Sequence, residues 1–193
     1  MIWLIRHGET TASPGLAIGA SDPPLSARGQ AQAEALAAEL SGRRLTRVFS
    51  SDLSRAVETA RIVAAPHGLP VETTSLLREI DFGSWEGKAL SDLWVTEPAA
   101  AERWERDIRS TPSGFAETLD ELERRVLAFW GQMRPRPAGA DVAVVAHRGP
   151  LAVLRALITG LPVTDTLAEP LEVGRLVRVE WAKPRRAGVA ETG

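Results

Sequence analysis

Residues 1–10 read MIWLIRHGET. Ile2 to Ile5 are apolar and rich in strand formers, and the chain then turns at once into Arg6, His7, Gly8, Glu9 and Thr10. An uninterrupted apolar run suits a strand covered on both faces, as in a parallel sheet between helical layers. In an open parallel sheet, ligands bind beyond the carboxyl ends of the strands. A strand that stops on a cation and an imidazole therefore puts chemistry on that rim. The sequence holds three histidines, and one of them stands here.

The same pattern recurs downstream. RVFSS (residues 47–51) and DVAVVAH (141–147) are short apolar runs with polar ends, and LPVETTS and GRLVRVEW are further strand candidates. Helical patterns lie between them. Residues 26–40 place Ala33, Leu36, Ala37 and Leu40 on one face, and residues 52–64 place Leu53, Val57, Ala60 and Val63 or Ala64 together. Residues 118–133 group Leu119, Leu122, Val126, Phe129 and Met133, with Thr118 and Glu121 spaced as a capping box. After His147, Pro150 suits a first helical turn, and Leu151, Leu154 and Ile158 continue one face. Alternating strands and helices predict a three-layer α/β/α sandwich with a mainly parallel central sheet.

A chain of 193 residues, 44% of them hydrophobic, fits one domain with a sizeable core. We expect that domain over residues 1–181, with loops at 12–24, 109–114 and 134–140 and a polar, frayed tail at 182–193. The net charge of -2 gives no basic field for nucleic acid or an anionic membrane, so neither is an expected partner. Cysteine is absent, which excludes disulfides, thiolate metal sites and cysteine nucleophiles, and fits a reducing compartment. No run is long and apolar enough to span a bilayer, and Arg6 and His7 interrupt the opening stretch too early for a signal peptide. We therefore expect a soluble, cytoplasmic protein. Its oligomeric state stays open, with a homodimer among the options.

The polar strand ends converge in chemistry. Arg6 and His7 close the first strand, Arg55 opens the helix after RVFSS, and His147 stands between the last buried strand and a helix. Arginine offers forked donors that match phosphate oxygens and keep their charge. A helix N-terminus adds N–H groups and a favourable dipole. A neutral imidazole can attack phosphorus and split one hard step into two easier ones. Two arginines aimed at one pocket repel a cation, so no metal and no cofactor is expected.

LIRHGET resembles the signature of the histidine phosphatase superfamily, the phosphoglycerate mutase-like proteins. The likeness continues in family order through DPPLSARGQAQAEALAAEL, VFSSDLSRAVETARIVA, LLREIDFGSWEGKAL and VAVVAHRGPLAVLRALI. It implies that His7 is the nucleophile, that Arg6 and Arg55 clamp phosphate oxygens, and that His147 adds a further donor. Glu79 would protonate the leaving alcohol and then activate water. Gly8 would give the loop room beside the phosphate, and Glu9 and Thr10 would orient it. Ser13 stands where many members carry a phosphate-contacting asparagine, and its hydroxyl offers one hydrogen bond in that place. Arg148 follows the second histidine, where glycine is common; it either reads the outer part of a substrate or points to solvent.

Other residues have plainer readings. His67 reads as an ordinary loop residue, and Trp85 suits a pocket wall as well as a core. Arg103, Arg106 and Arg109 read as a solvated helical face. The interval from Glu79 to His147 is short for a phosphoglycerate mutase, and a shorter cover favours hydrolysis by water. The resemblance thus implies a phosphomonoesterase acting on a small phosphorylated metabolite. The stretches REIDFGSWEGKALSDLW and TPSGFAETLDELERRV are similar to those of α-ribazole-5′-phosphate phosphatases of cobalamin biosynthesis. Phosphoglycerate mutase, a broad sugar- or nucleotide-phosphate phosphatase and a non-catalytic binding module are the alternatives.

Overall fold

A computed structural model describes residues 1–12, 14–112, 114–133 and 140–180. Ser13, the tail at 182–193 and the loop residues 134–139 lie outside this set. Five strands form one sheet: β1 (Ile2–Arg6), β2 (Leu45–Ser51), β3 (Val71–Thr74), β4 (Asp141–Ala146) and β5 (Leu176–Val179), in the order β3-β2-β4-β1-β5. All neighbours are parallel except β5, which runs antiparallel to β1 along one edge.

The apolar runs are continuous because both faces of the sheet are covered. Ile2, Leu4, Val142, Val144 and Phe49 point to one side, into a core with α5 (Leu119–Gln132) and α6 (Arg148–Thr159). Trp3, Ile5, Ala143, Val145 and Val48 point to the other, against α1 (Ala27–Leu40) and α2 (Ser54–Ala64). This is the three-layer sandwich that the alternation predicts. Short helices α3 (Leu90–Thr96) and α4 (Pro98–Arg106) form a cover over the carboxyl rim, and α7 (Val163–Ala168) packs on α6. The cover has its own small core, in which Ala17, Trp85 and Leu93 are buried beside Phe82, Trp104 and Phe115. Among the described residues no helix is long and apolar enough to cross a membrane.

Helix starts follow their local chemistry. Thr118 caps α5 in a complete capping box with Glu121, and the Ser26 hydroxyl accepts the Gly29 N–H at the start of α1. The N-cap position of α2 is Leu53, which has no capping side chain; the Asp22 carboxylate instead accepts the Ser54 N–H at 2.9 Å.

Two readings change, and one open choice closes. The inner face of α2 carries Ala56 rather than Val57, because the helix is turned to bring Arg55 and Thr59 inward, where both find partners. Arg109 is not on the helix with Arg103 and Arg106: α4 ends at Arg106, and Arg109 reaches Asp120 at 2.6 Å and Glu123 at 2.9 Å on α5. Trp85 is core, 1% exposed, with its indole N–H donated to Glu97 at 3.0 Å. His67 closes a single 3-10 turn after α2.

The loop after β1 lies hard against α1. A Cβ on Gly8 would stand 2.3 Å from the Gly29 carbonyl oxygen, and one on Gly29 would stand 2.0 Å from that of Glu9. The space that Gly8 leaves open therefore faces the helix backbone. The contact is stapled by Ser26 N–H to the Glu9 carbonyl (2.9 Å), by the Ser26 hydroxyl to the Glu9 carboxylate (2.9 Å) and by Glu9 N–H to Gln32 (2.8 Å). Gly29→Ala is expected to cost about 1–3 kcal/mol through this overpacking. Gly42→Ala, where no atom lies within 4 Å, is expected to be near neutral. Urea denaturation of the two variants checks the difference.

Candidate active site

Strand register sets the centre of the site. β1 and β4 pair with Arg6 opposite Ala146, so the next residue on each strand is a histidine. The His7 N–H continues the pairing to the Ala146 carbonyl at 3.1 Å. The two imidazoles stand side by side, ring centres 4.9 Å apart and planes tilted by 58°.

His7 is held in one tautomer. Its Nδ1 lies 2.7 Å from the Gly8 carbonyl oxygen. That oxygen can only accept, so Nδ1 carries the proton and Nε2 the lone pair. Burial pushes the His7 pKa down to about 3, and the positive charges of Arg55 and Arg6 add to the effect. The ring is therefore neutral and nucleophilic at physiological pH. His147 is fully buried, and burial followed by its charged neighbours holds its pKa well below the ordinary value.

Both arginines are anchored by backbone carbonyls. Arg55, 1% exposed, gives Nη1 to the Ser21 carbonyl at 2.6 Å and Nη2 to that of Gly19 at 3.0 Å. The Asp22 carboxylate stands farther off, 3.6 Å from Nη1. Arg6 gives Nη1 to the Leu171 carbonyl at 3.0 Å. Anchoring through carbonyls fixes each fork without cancelling its charge. The Nε of Arg6, the Nε of Arg55 and both ring nitrogens of His147 are buried with no hydrogen-bond partner among the described residues. Buried polar groups are normally paired, so this cluster of unused groups has the character of an anion site. Burial lowers the pKa of both arginines; nearby carboxylates, Glu79 first, offset part of this, while Arg148 acts on Arg6 and Arg6 on Arg55 in the same direction as burial.

Glu79 sits against the start of α6. Its Oε1 accepts the N–H of Ile80 and of Gly149, each at 3.0 Å, while Oε2 lies 3.4 Å from the Gly149 nitrogen. With Oε1 occupied as an acceptor, a proton on this carboxyl belongs on Oε2. Burial raises the Glu79 pKa by more than these N–H groups and the two arginines lower it.

The five residues Arg6, His7, Arg55, Glu79 and His147 thus come together. Arg148 is solvent-exposed at the rim of a cavity beside Glu79, with Nη2 donating to the Leu167 carbonyl at 3.2 Å.

Four supporting features take their roles only from the fold. Thr59 accepts the Gly8 N–H at 3.1 Å and donates to the Arg55 carbonyl at 2.8 Å, linking the nucleophile loop to α2. Glu86 accepts the N–H groups of Gly19, Ala20, Ser21 and Phe82 and the Ser21 hydroxyl. It thereby fixes the strap whose carbonyls hold Arg55. Burial alone would raise the Glu86 pKa, but these donors lower it. Arg125 bonds the Glu79 carbonyl at 3.1 Å and pairs through two nitrogens with Glu117, which also accepts the Asp81 N–H. Gly149 leaves the Glu79 carboxyl its place, because a Cβ there would meet Glu79 Oε1 at 2.5 Å and push that group aside. The one sequence signal was the glycine in the first turn of a helix, a poor helix former in that place.

A neutral imidazole grouped with two guanidinium groups and a carboxyl of raised pKa is equipment that suits phosphoryl transfer. The profile of the histidine phosphatase superfamily (branch 1) matches residues 2–190. The adenosylcobalamin/alpha-ribazole phosphatase of Escherichia coli is 35% identical over 162 residues, covering 83% of this chain and 80% of that protein. A "Probable phosphoglycerate mutase GpmB" of Yersinia enterocolitica is 35% identical over 166 residues, 83% of this chain and 75% of its own. The solved structure of a mycobacterial glucosyl-3-phosphoglycerate phosphatase with VO3 superposes with a TM-score of 0.80 at 30% identity, covering 91% of this chain and 90% of that one. The chain belongs to the histidine phosphatase superfamily. It is an enzyme of the phosphoric monoester hydrolase class.

The buried imidazoles leave a mark on stability. The folded His7 takes up its proton only near pH 3, the unfolded one near 6.5. Unfolded chains therefore bind more protons in that window, and stability falls as pH drops through it, by up to about 1.4 kcal/mol per pH unit. Glu79 has the opposite sign, since its raised pKa contributes stability at low pH that is lost as pH rises through the folded value. Urea denaturation between pH 7 and 4 is expected to show a shallower acid slope in His7→Asn than in the wild type.

Proposed function

We propose that the enzyme hydrolyses a small phosphate monoester through a phosphohistidine on His7. The observation that carries this is the cluster of buried, unpaired donor groups, the Nε atoms of Arg6 and Arg55 and the His147 ring, around an imidazole whose Nε2 lone pair is fixed by the Gly8 carbonyl. The phosphoryl oxygens would take those donors. Nε2 of His7 attacks phosphorus as the bond to the ester oxygen breaks, and Glu79 gives its Oε2 proton to that oxygen as the alcohol leaves. Water then attacks the phosphorus. Glu79 takes a proton from it, the N–P bond breaks with its electrons returning to His7, and inorganic phosphate departs. Desolvation keeps His7 unprotonated for the first step and shifts Glu79 toward its protonated form for the same step, so the two pKa shifts serve opposite ends of one transfer. On this reading Ser13 could add one more phosphate contact.

For the substrate we propose a small phosphorylated metabolite, with α-ribazole 5′-phosphate as the first candidate. The segments at 78–94 and 111–126, together with the name of the Escherichia coli relative, support that choice. The short interval between Glu79 and His147 supports hydrolysis over a mutase reaction, which would retain the phosphohistidine for return transfer.

A metal-free assay with α-ribazole phosphate, 3-phosphoglycerate, sugar phosphates and nucleotides tests both levels. Phosphate release is expected, with His7→Ala lowering it by several orders of magnitude and acid quench trapping a labelled phosphohistidine in the wild type. Wild-type turnover by His7→Ala overturns the mechanism. Activity on 3-phosphoglycerate that depends on a bisphosphorylated primer, with little phosphate released, overturns the hydrolase reading.

Glu79→Gln is expected to slow alkyl esters by about 10²- to 10⁴-fold. It should slow p-nitrophenyl phosphate much less, because that leaving group needs no proton. As pH rises through the pKa of Glu79 the acid form is lost, so the wild-type rate on alkyl esters should fall on the alkaline side. That limb is expected to vanish in the variant.

A further inference from the structure

The loop that carries His7 is tied down one peptide unit at a time. The His7 N–H meets the Ala146 carbonyl at 3.1 Å. The next unit is held at both ends: the His7 carbonyl accepts the Gly174 N–H at 2.9 Å, and the Gly8 N–H is donated to the Thr59 hydroxyl at 3.1 Å. Beyond Glu9, the Glu9 carbonyl accepts the Ser26 N–H at 2.9 Å. The Gly8–Glu9 unit in between is different. Its oxygen faces the His7 ring, 2.7 Å from Nδ1. Its N–H is donated to Oε1 of Gln32 at 2.8 Å.

The ring does not fix this peptide. Nδ1 donates to an oxygen when it carries the proton and accepts from an N–H when it does not. Gly8 lends the unit little torsional stiffness of its own. The aim of the Gly8 carbonyl is therefore set from the far end of the same peptide, by the Gln32 amide. Gln32 stands half-buried in the second turn of α1, and its stem is boxed in. Gly174 lies against it at φ +63°, and a Cβ there would come within 2.6 Å of both Cβ and Cδ of Gln32. One turn of bare backbone thus holds the His7 carbonyl and seats the amide that serves the next peptide.

Which imidazole nitrogen carries the proton is set by the bond the other makes. Where the Gly8 carbonyl turns away, the ring loses the bond that names its tautomer. A ring with its proton on Nε2 has no lone pair there to attack phosphorus. We propose that Gln32 is a positioning residue that selects the reactive tautomer of His7, acting through the Gly8–Glu9 peptide. The proposal rests on the reading of His7 as nucleophile given above. It assigns a part in the reaction to a residue that touches neither substrate nor imidazole.

Three variants of similar reach separate the possibilities. Gln32→Glu keeps an acceptor for the Glu9 N–H. Gln32→Met removes it. Gln32→Lys replaces it with a donor, which opposes the N–H and draws the Gly8 oxygen away from the ring. Long-range proton–nitrogen NMR spectra of the 15N-histidine-labelled enzyme at pH 7 report which ring nitrogen is protonated. With three histidines in the chain, His7→Asn assigns the His7 signals by their loss. The wild type and Gln32→Glu are expected to carry the His7 proton on Nδ1. Gln32→Met is expected to show a mixture with the Nε2–H form, and Gln32→Lys mainly that form. On p-nitrophenyl phosphate, Gln32→Met should lower kcat by about 10-fold, the worth of one hydrogen bond, and Gln32→Lys by more. KM should stay within about 3-fold in both, because the arginines that bind the phosphate are untouched. A wild-type proton on Nε2 overturns the proposal. So does an unchanged Nδ1–H tautomer in Gln32→Met and Gln32→Lys, whatever their rates, since loss of activity alone would mark a merely structural residue. If one of these two variants fails to fold, the other decides by the same spectrum. A wild type that releases no phosphate and traps no phosphohistidine overturns the nucleophile reading instead, while the spectra still decide whether Gln32 sets the tautomer.

Discussion

The parallel pairing of β1 with β4 is the constraint on which the site depends. With Arg6 held opposite Ala146, the two strands deliver their histidines together at one edge of the sheet. A slip of one residue would turn every side chain of β1 to the other face. Trp3 would enter the core that now holds Leu4, and His7 would turn away from His147. The two apolar cores, one on each face, therefore fix the separation of the imidazoles as firmly as any contact between the rings. Stability and geometry here have one cause, the alternation of Ile2, Trp3, Leu4 and Ile5 between two dry layers.

Around that pair the protein gathers charge without neutralising it. Arg6 and Arg55 are held mainly by carbonyl oxygens, and the imidazoles stay neutral because they are dry. A carboxylate in place of the Gly19 or Ser21 carbonyl would hold the guanidinium better and weaken its pull on an anion. The folded chain therefore carries two cations, only partly offset by nearby carboxylates such as Asp22, in a low-dielectric pocket, a cost that binding of an anion would relieve. Glu79 is the counterpart, a carboxyl whose pKa the same dryness raises although two cations stand near it.

Much of this was legible before the fold was known. The strands announce themselves as apolar runs with polar ends, and Arg6, His7, Arg55 and His147 each adjoin a strand end or a helix start, which a parallel sheet gathers on one rim; Glu79 lies in a loop between two 3-10 turns and is legible only through the resemblance. What the sequence hid is of another kind. Thr59 looks like any helix threonine, and only the approach of Gly8 gives its hydroxyl an N–H to accept. Gly149 carries no chemistry, and its meaning is the carboxyl of a residue seventy positions away. Counting apolar residues favours Val57 for the inner face of α2, while the buried partners of Arg55 and Thr59 favour Ala56. Arg109 sits near Arg103 and Arg106 in sequence, whereas its partners lie on another helix. Periodicity reports which residues avoid water; it does not report which polar atoms will find each other.

The buckle formed by Glu86 has a consequence for how this region can vary. One carboxylate meets four N–H groups and a hydroxyl, and the strap it gathers supplies the carbonyls that grip Arg55. Glutamine would turn an amide donor toward a ring of donors. Aspartate would fall short by a methylene. Neither near neighbour in chemistry can serve, so a residue that touches no reacting atom leaves its position almost no freedom to drift, while the exposed turns of the cover a few residues away are free to change.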